Sequence, residues 1–233
     1  MFRKWQFAGC AIAVIFDMNS ARAQTVPATD LQQWTMVSVT DQVRPKLAFT
    51  GFGEVRFGNN STQLDEELLT AGAIYSPTRW FSAGSGYLYI HANPNLSGIT
   101  HENRFYTEAI FRAPAFHGFL LSDRVRPEVR WLQTPTKARF TQRYRDRITL
   151  ERPLTIQQTR YVPFLRYEKF YDMLAEDWSR TRYYGGFDRP LFGRSTLEVY
   201  YMHQDDAYFR PYHKNNIGVS LMWHVGGAHG DRH

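Results

Sequence analysis

Along most of this chain, charged or polar residues alternate one by one with bulky apolar ones. The alternation is sharpest in Asp123-Arg124-Val125-Arg126-Pro127-Glu128-Val129-Arg130-Trp131 and again in Arg143-Tyr144-Arg145-Asp146-Arg147-Ile148-Thr149-Leu150-Glu151. A period of two is that of a β-strand, whose successive side chains point to opposite faces. Arg124, Arg126, Glu128 and Arg130 therefore share one face, and Val125, Pro127, Val129 and Trp131 the other. The same pattern predicts strands over residues 34–40, 47–57, 68–75, 80–91, 102–111, 123–131, 143–151, 161–170, 180–185, 197–201 and 216–225. Turn-forming runs such as Gly58-Asn59-Asn60-Ser61 and Gln133-Thr134-Pro135-Thr136 separate them. That makes eleven candidate strands, joined by connections that alternate between longer and shorter. Single-chain bacterial barrels have even numbers, so the expectation is ten, with the weak first segment outside the sheet, or twelve, with one strand overlooked. Two details resist the pattern. Asp146 falls on the apolar face, which predicts a bulge there, and Pro127 and Pro163 each forfeit a ladder hydrogen bond.

Which face points inwards is decided by composition. Of the 28 basic residues only Lys4, Lys46, Lys137, Lys169 and Lys214 are lysine. Guanidinium is favoured over ammonium where charge sits in planar, multiply hydrogen-bonded pairs away from bulk water, which suits a crowded barrel lumen. Mean hydropathy is −0.48, and no segment after residue 23 is long and apolar enough for a membrane helix, yet aromatics make up 16% of the chain. Only helices and closed barrels satisfy all their backbone groups within a bilayer. The reading that follows is an all-β, antiparallel transmembrane β-barrel of roughly 10–12 strands, with a polar lumen lined by Arg, Glu and Tyr.

The N-terminus fits export. Arg3 and Lys4 precede an apolar run over residues 7–16, and Ala21-Arg22-Ala23 matches the small-x-small cleavage rule. The expected organisation is a signal peptide over 1–23 cleaved after Ala23, a single outer-membrane barrel domain over 24–225 and a polar tail over 226–233. Cleavage would remove Cys10, the only cysteine, leaving no disulfide or thiolate metal site. It would also remove Arg3, Lys4, Arg22 and Asp17, leaving 25 basic against 21 acidic residues. That modest positive balance does not indicate nucleic acid as a partner of an exported chain.

Several short motifs recur in order: Trp34, Glu102-x-Arg104, Asp123-Arg124-x-Arg126-x-Glu128-x-Arg130, Arg143-x-Arg145-x-Arg147, Glu168-x-Phe170, Arg182 before Tyr184-Gly185-Gly186, and Ile217-Gly218-Val219-x-Leu221. Together they resemble the domain of unknown function 2490 family over nearly all of the mature chain. The resemblance implies an outer-membrane β-barrel of a Gram-negative bacterium and brings no assigned activity or catalytic residue.

The candidate site is the lumen charge network: Glu54, Arg56, Glu102, Arg104, Glu108, Arg124, Arg126, Glu128, Arg130, Arg143, Arg145, Arg147, Arg166, Glu168, Arg182 and Glu198. With Glu151 added, ten arginines face seven glutamates. That excess admits a narrow passage favouring small anions, whereas mutual pairing predicts a plugged lumen. Expected partners are outer-membrane lipids, lipopolysaccharide and the barrel-assembly machinery, with an unspecified small solute; no cofactor or metal is implied. An alternative is a lipid-modifying enzyme using His101 beside Glu102, or His203 with Asp205, Asp206 and His213, although neither set accompanies a nucleophile elbow or zinc-type spacing. A soluble periplasmic barrel with an apolar interior shares the alternation but not the arginine-dominated charge.

Overall fold

The alternating segments form strands in a computed structural model that describes residues 28–93, 98–208 and 211–226. The expected signal peptide and residues 227–233 of the expected tail lie outside the described residues. The strands are β1 (Thr29–Arg44), β2 (Leu47–Gly58), β3 (Gln63–Thr78), β4 (Phe81–Ala92), β5 (Thr100–Arg112), β6 (Leu120–Gln133), β7 (Ala138–Glu151), β8 (Leu154–Ile156), β9 (Thr159–Asp172), β10 (Asp177–Pro190), β11 (Ser195–Asp206) and β12 (His213–Gly226). Among the described residues there is no helix.

Each long strand pairs antiparallel with the next, β7 pairs directly with β9, and β12 pairs with β1, so the sheet closes into a barrel. The three-residue β8, set off after Pro153, pairs with the first residues of β9 outside that ring. Eleven strands therefore close the barrel, neither ten nor twelve. The weak segment around Trp34 is not an outlier: as β1 it runs for 16 residues and forms one side of the closing seam. An odd ring of alternating strands must bring its first and last members together in the same direction. The seam is accordingly parallel, from Thr29 opposite His213 to Gln42 opposite Gly226, and the expected wholly antiparallel sheet is mixed at this one place. Closure leaves no long edge strand with unpaired backbone groups.

β1 starts at what is here termed the upper rim and β12 ends at the lower rim. The expected alternation of long and short connections is not observed. Two-residue turns (residues 45–46 and 79–80) and seven-residue segments (113–119 and 152–158) both lie at the lower rim, and upper-rim connections range from four residues (59–62) to seven (93–99). Asp146 needs no bulge either. It stays in register between Val125 and Lys169 on the outer face, where it is exposed. Pro127 does interrupt the β5–β6 ladder, whose pairing stops at Tyr106–Glu128 and resumes at Ala109–Val125, as a residue without an N–H must.

The two faces of this sheet are inverted relative to a globular domain. Among the described residues ten hydrophobic side chains are buried against nineteen polar or charged ones, while forty large hydrophobic side chains are exposed. Aliphatic residues on the outer mid-wall include Val37, Leu69, Val125 and Leu165, which share it with Tyr87, Phe105 and Tyr144. Aromatic pairs gather towards the rims: Trp131–Phe140 and Tyr171–Trp178 above, Phe81–Phe111 and Phe192–Trp223 below.

The lumen is not uniformly polar. Phe52, Leu68, Leu88, Ile90, Ala92 and Tyr106 form an apolar patch on β2–β5, and Trp34, Phe164, Phe170 and Met202 are buried among the polar residues elsewhere on the wall. Glycines open room for rings that lie flat against the inner wall. A Cβ at Gly86 would run into the Tyr106 ring, and one at Gly218 into Tyr200.

Candidate functional site

The opposite wall carries the charge. Period-two geometry turns every even-numbered residue of β6 and its odd-numbered partners on β7 inwards, so Arg124, Arg126, Glu128 and Arg130 meet Arg143, Arg145 and Arg147 inside the barrel. Like charges on neighbouring strands repel, and carboxylates interleaved at two levels resolve this. Glu128, 2% exposed, accepts from Arg143 Nη2 at 2.6 Å and Arg145 Nη1 at 2.8 Å, with Arg104 Nη1 at 3.7 Å. Glu168, 0% exposed, accepts from Arg124 Nη2 at 2.9 Å, Arg145 Nη2 at 2.8 Å and the Tyr184 hydroxyl at 3.2 Å. Arg145 thus bridges the two glutamates, and each glutamate collects three or more donors.

Smaller clusters extend the network around the wall. Glu102 accepts from both Arg104 and Arg130, and Arg130 reaches on to Asp172 at 3.0 Å. Nearer the lower rim Arg126 pairs with Glu108 at 2.6 Å and Arg166 with Glu198 at 2.5 Å. On β2, Arg56 joins Glu54 and Glu66, both at 2.6 Å, and its guanidinium lies 3.8 Å over the Trp34 ring. Arg182 of β10 links several strands of the inner wall: it donates to Gln204 on β11 at 2.6 Å, lies 3.8 Å from Glu168 on β9 and sits 5.0 Å over Trp34 on β1. Phe170, 1% exposed, lies beneath the guanidinium groups of Arg143, Arg145 and Arg182, and Met202 on β11 is fully buried. The hydrogen bonds are charge-assisted, and their geometry identifies an enclosed polar interior more than a source of net stability.

The sixteen residues of the candidate network lie on the inner face of the sheet, and fifteen of them make an ion pair within 4.0 Å. Among the described residues Arg147 has none, and its Nε is buried without a hydrogen-bond partner there. The sequence reading missed Glu66, Asp172, Arg180 and Asp206, which pair into the same network. Their parity along the strands was available, but polar character assigned Glu66 and Asp206 to loops.

The histidine sets expected of an enzyme separate. His101 and Glu102 are consecutive in β5 and face opposite ways: Glu102 points into the lumen, while His101 lies on the outer face, 2.7 Å from the Tyr89 hydroxyl and 3.3 Å from His91. Asp206 turns inwards to Arg180 at 2.5 Å. His203, Asp205 and His213 stay together on the outer face at the upper rim, with His203 Nε2 3.0 Å and His213 Nδ1 2.7 Å from the same Asp205 Oδ1.

The class these features define is a closed β-barrel with an ionic lumen and an apolar exterior. Residues 31–213 match the family described as Protein of unknown function (DUF2490), and the chain belongs to that family. A protein of Methylorubrum extorquens described as uncharacterized is 26% identical over 192 residues, covering 80% of this chain and 83% of its own length.

Proposed function

We propose that this protein is an outer-membrane β-barrel of a Gram-negative bacterium whose lumen is plugged by its own arginine–carboxylate network. The observation that carries the reading is the inversion of its faces. Leaving forty large hydrophobic side chains on the outside is unfavourable in water, because apolar area transferred out of water contributes roughly 25 cal/mol per Å². Facing hydrocarbon, the same surface costs nothing, and aromatic residues towards both rims suit the two membrane interfaces. The N-terminal residues read as an export signal agree with that destination.

Charge balance favours a plug over an anion-favouring passage. Arg180, Glu66, Asp172 and Asp206 add one arginine and three carboxylates to the ten and seven counted from sequence, and Asp30, Asp188 and Lys214 lie on the same inner face, so most of the expected positive excess is removed. The contact of Arg182 on β10 with the Trp34 ring on β1, 5.0 Å apart, supports the plug by placing large paired side chains in the bore.

Cell fractionation tests the location. The protein is expected in the outer-membrane fraction, with a folded form that migrates differently on gels before and after heating. Val129→Arg, on the outer face, is expected to impair assembly by about 2–4 kcal/mol if that position lies near mid-bilayer. Recovery as a detergent-free soluble monomer from the periplasm would sink the proposal.

A further inference from the structure

The β11–β12 hairpin places two cross-strand pairs side by side on the outer face of the upper rim: His203 opposite Asn215, and Asp205 opposite His213. The ligand-bearing atoms of His203, Asp205 and His213 all lie within 4.8 Å of one another. The Asn215 side-chain oxygen lies 2.9 Å from His203 Nδ1 and accepts from the Tyr201 hydroxyl at 2.6 Å. A carbonyl oxygen only accepts, so His203 Nδ1 carries a hydrogen. In the neutral ring, Nε2 then presents a lone pair, and it is aimed at Asp205 Oδ1 only 3.0 Å away. Two acceptors at that separation repel unless something positive lies between them. His213 Nδ1 approaches the same oxygen at 2.7 Å.

We propose that His203, Asp205 and His213 form a binding site for a divalent transition-metal cation such as Zn²⁺. Two imidazole nitrogens and one carboxylate oxygen are a borderline ligand set that suits Zn²⁺ and disfavours Mg²⁺ or Ca²⁺. Bonds of ~2.0–2.1 Å at a tetrahedral centre hold ligand atoms about 3.3 Å apart, so a small opening of the trio accommodates the ion. Asn215 and Tyr201 supply the outer hydrogen bonds that hold a metal-binding imidazole in its tautomer. The three side chains are 36%, 43% and 53% exposed for His203, Asp205 and His213, which leaves an entry path and a fourth position for water. His213 is also the first residue of β12, opposite Thr29 at the parallel seam, so the ion would clip the rim of the hairpin that completes the barrel. The site depends on the hairpin register and not on membrane location.

The test is a Zn²⁺ titration of the untagged, full folded chain in detergent at pH 7.5, in competition with a chromophoric chelator. One Zn²⁺ per chain is expected, with affinity at least tenfold weaker in His203→Ala, Asp205→Asn and His213→Ala, and within twofold of wild type in His101→Ala. Far-UV circular dichroism checks that each variant folds. Zinc-edge X-ray absorption on the wild type reads the site without any substitution: a four-coordinate shell containing two imidazoles is expected. A six-coordinate water shell, wild-type binding no tighter than that of the His203→Ala/His213→Ala double variant, or no binding at all overturns the proposal and leaves a proton-mediated histidine–aspartate contact.

Discussion

Glu168 shows how little freedom the lumen leaves a single residue. Its carboxylate is fully buried and is held by Arg124, Arg145 and Tyr184. Replacing it would leave guanidinium groups desolvated and uncompensated, which costs more than the intact pair contributes, because the desolvation is already incurred. Glu168→Ala is expected to destabilise the folded barrel by about 3–5 kcal/mol, read as a shift in the urea midpoint of protein folded in micelles. Glu67→Ala, at an exposed position on the outer face of β3, is expected to stay within about 0.5 kcal/mol. Equal effects at the two sites would mean that water reaches Glu168 and that the lumen is open there.

At the scale of the element, the informative feature is the seam. Closure through β1 places Val37 opposite Leu221, both outward-facing, and a chain whose only cysteine is Cys10 gives a clean background for cross-linking. Val37→Cys combined with Leu221→Cys is expected to form an intramolecular disulfide under mild oxidation, detected by mass and by its effect on gel mobility. A ten-stranded closure would instead bring β12 against β2, so efficient cross-linking of Val55→Cys with Leu221→Cys, and none with Val37→Cys, would reject the parallel seam. The glycines that receive Tyr106 and Tyr200 act at the same scale, since they let neighbouring strands carry large inward rings without widening the ring of strands.

For the whole molecule, a near-neutral lumen crowded with mutually paired long side chains predicts a closed scaffold. Purified protein in planar bilayers is expected to give no stable conductance. A steady current with anion-over-cation reversal potential, reduced by Arg126→Glu or Arg145→Glu, would replace the plug with a narrow passage. Arg147, the one arginine of the ten in the network with no carboxylate within 4.0 Å among the described residues, lies in this wall opposite Arg124, and Arg147→Ala is expected to reduce any such anion current without breaking an ion pair.

The faces of the strands were legible in the order of residues, because alternation at period two is a property of the backbone and survives any closure. Parity alone placed Glu128 on one face with Arg124 and Arg126, while the choice of that face as the inner one rested on the arginine-dominated composition and not on alternation. The strand count at the seam was not legible. Residues 29–33 mix polar with apolar positions too weakly to announce a strand, and only the presence of β12 beside them turns that stretch into half of a parallel ladder. Register between strands was equally hidden, since hydrophobic pattern specifies which face a residue takes and not which residue it meets. Asp206 was grouped with His203 by proximity in sequence, yet odd and even positions part company across the wall. His203 and Asp205 found His213 and Asn215 only because the β11–β12 hairpin closes in one register of several that the loop allows. The sequence by itself determined an inverted β-sheet; pairing distances, set by turn geometry and by closing the ring, decided the odd barrel, the balanced lumen and the rim cluster.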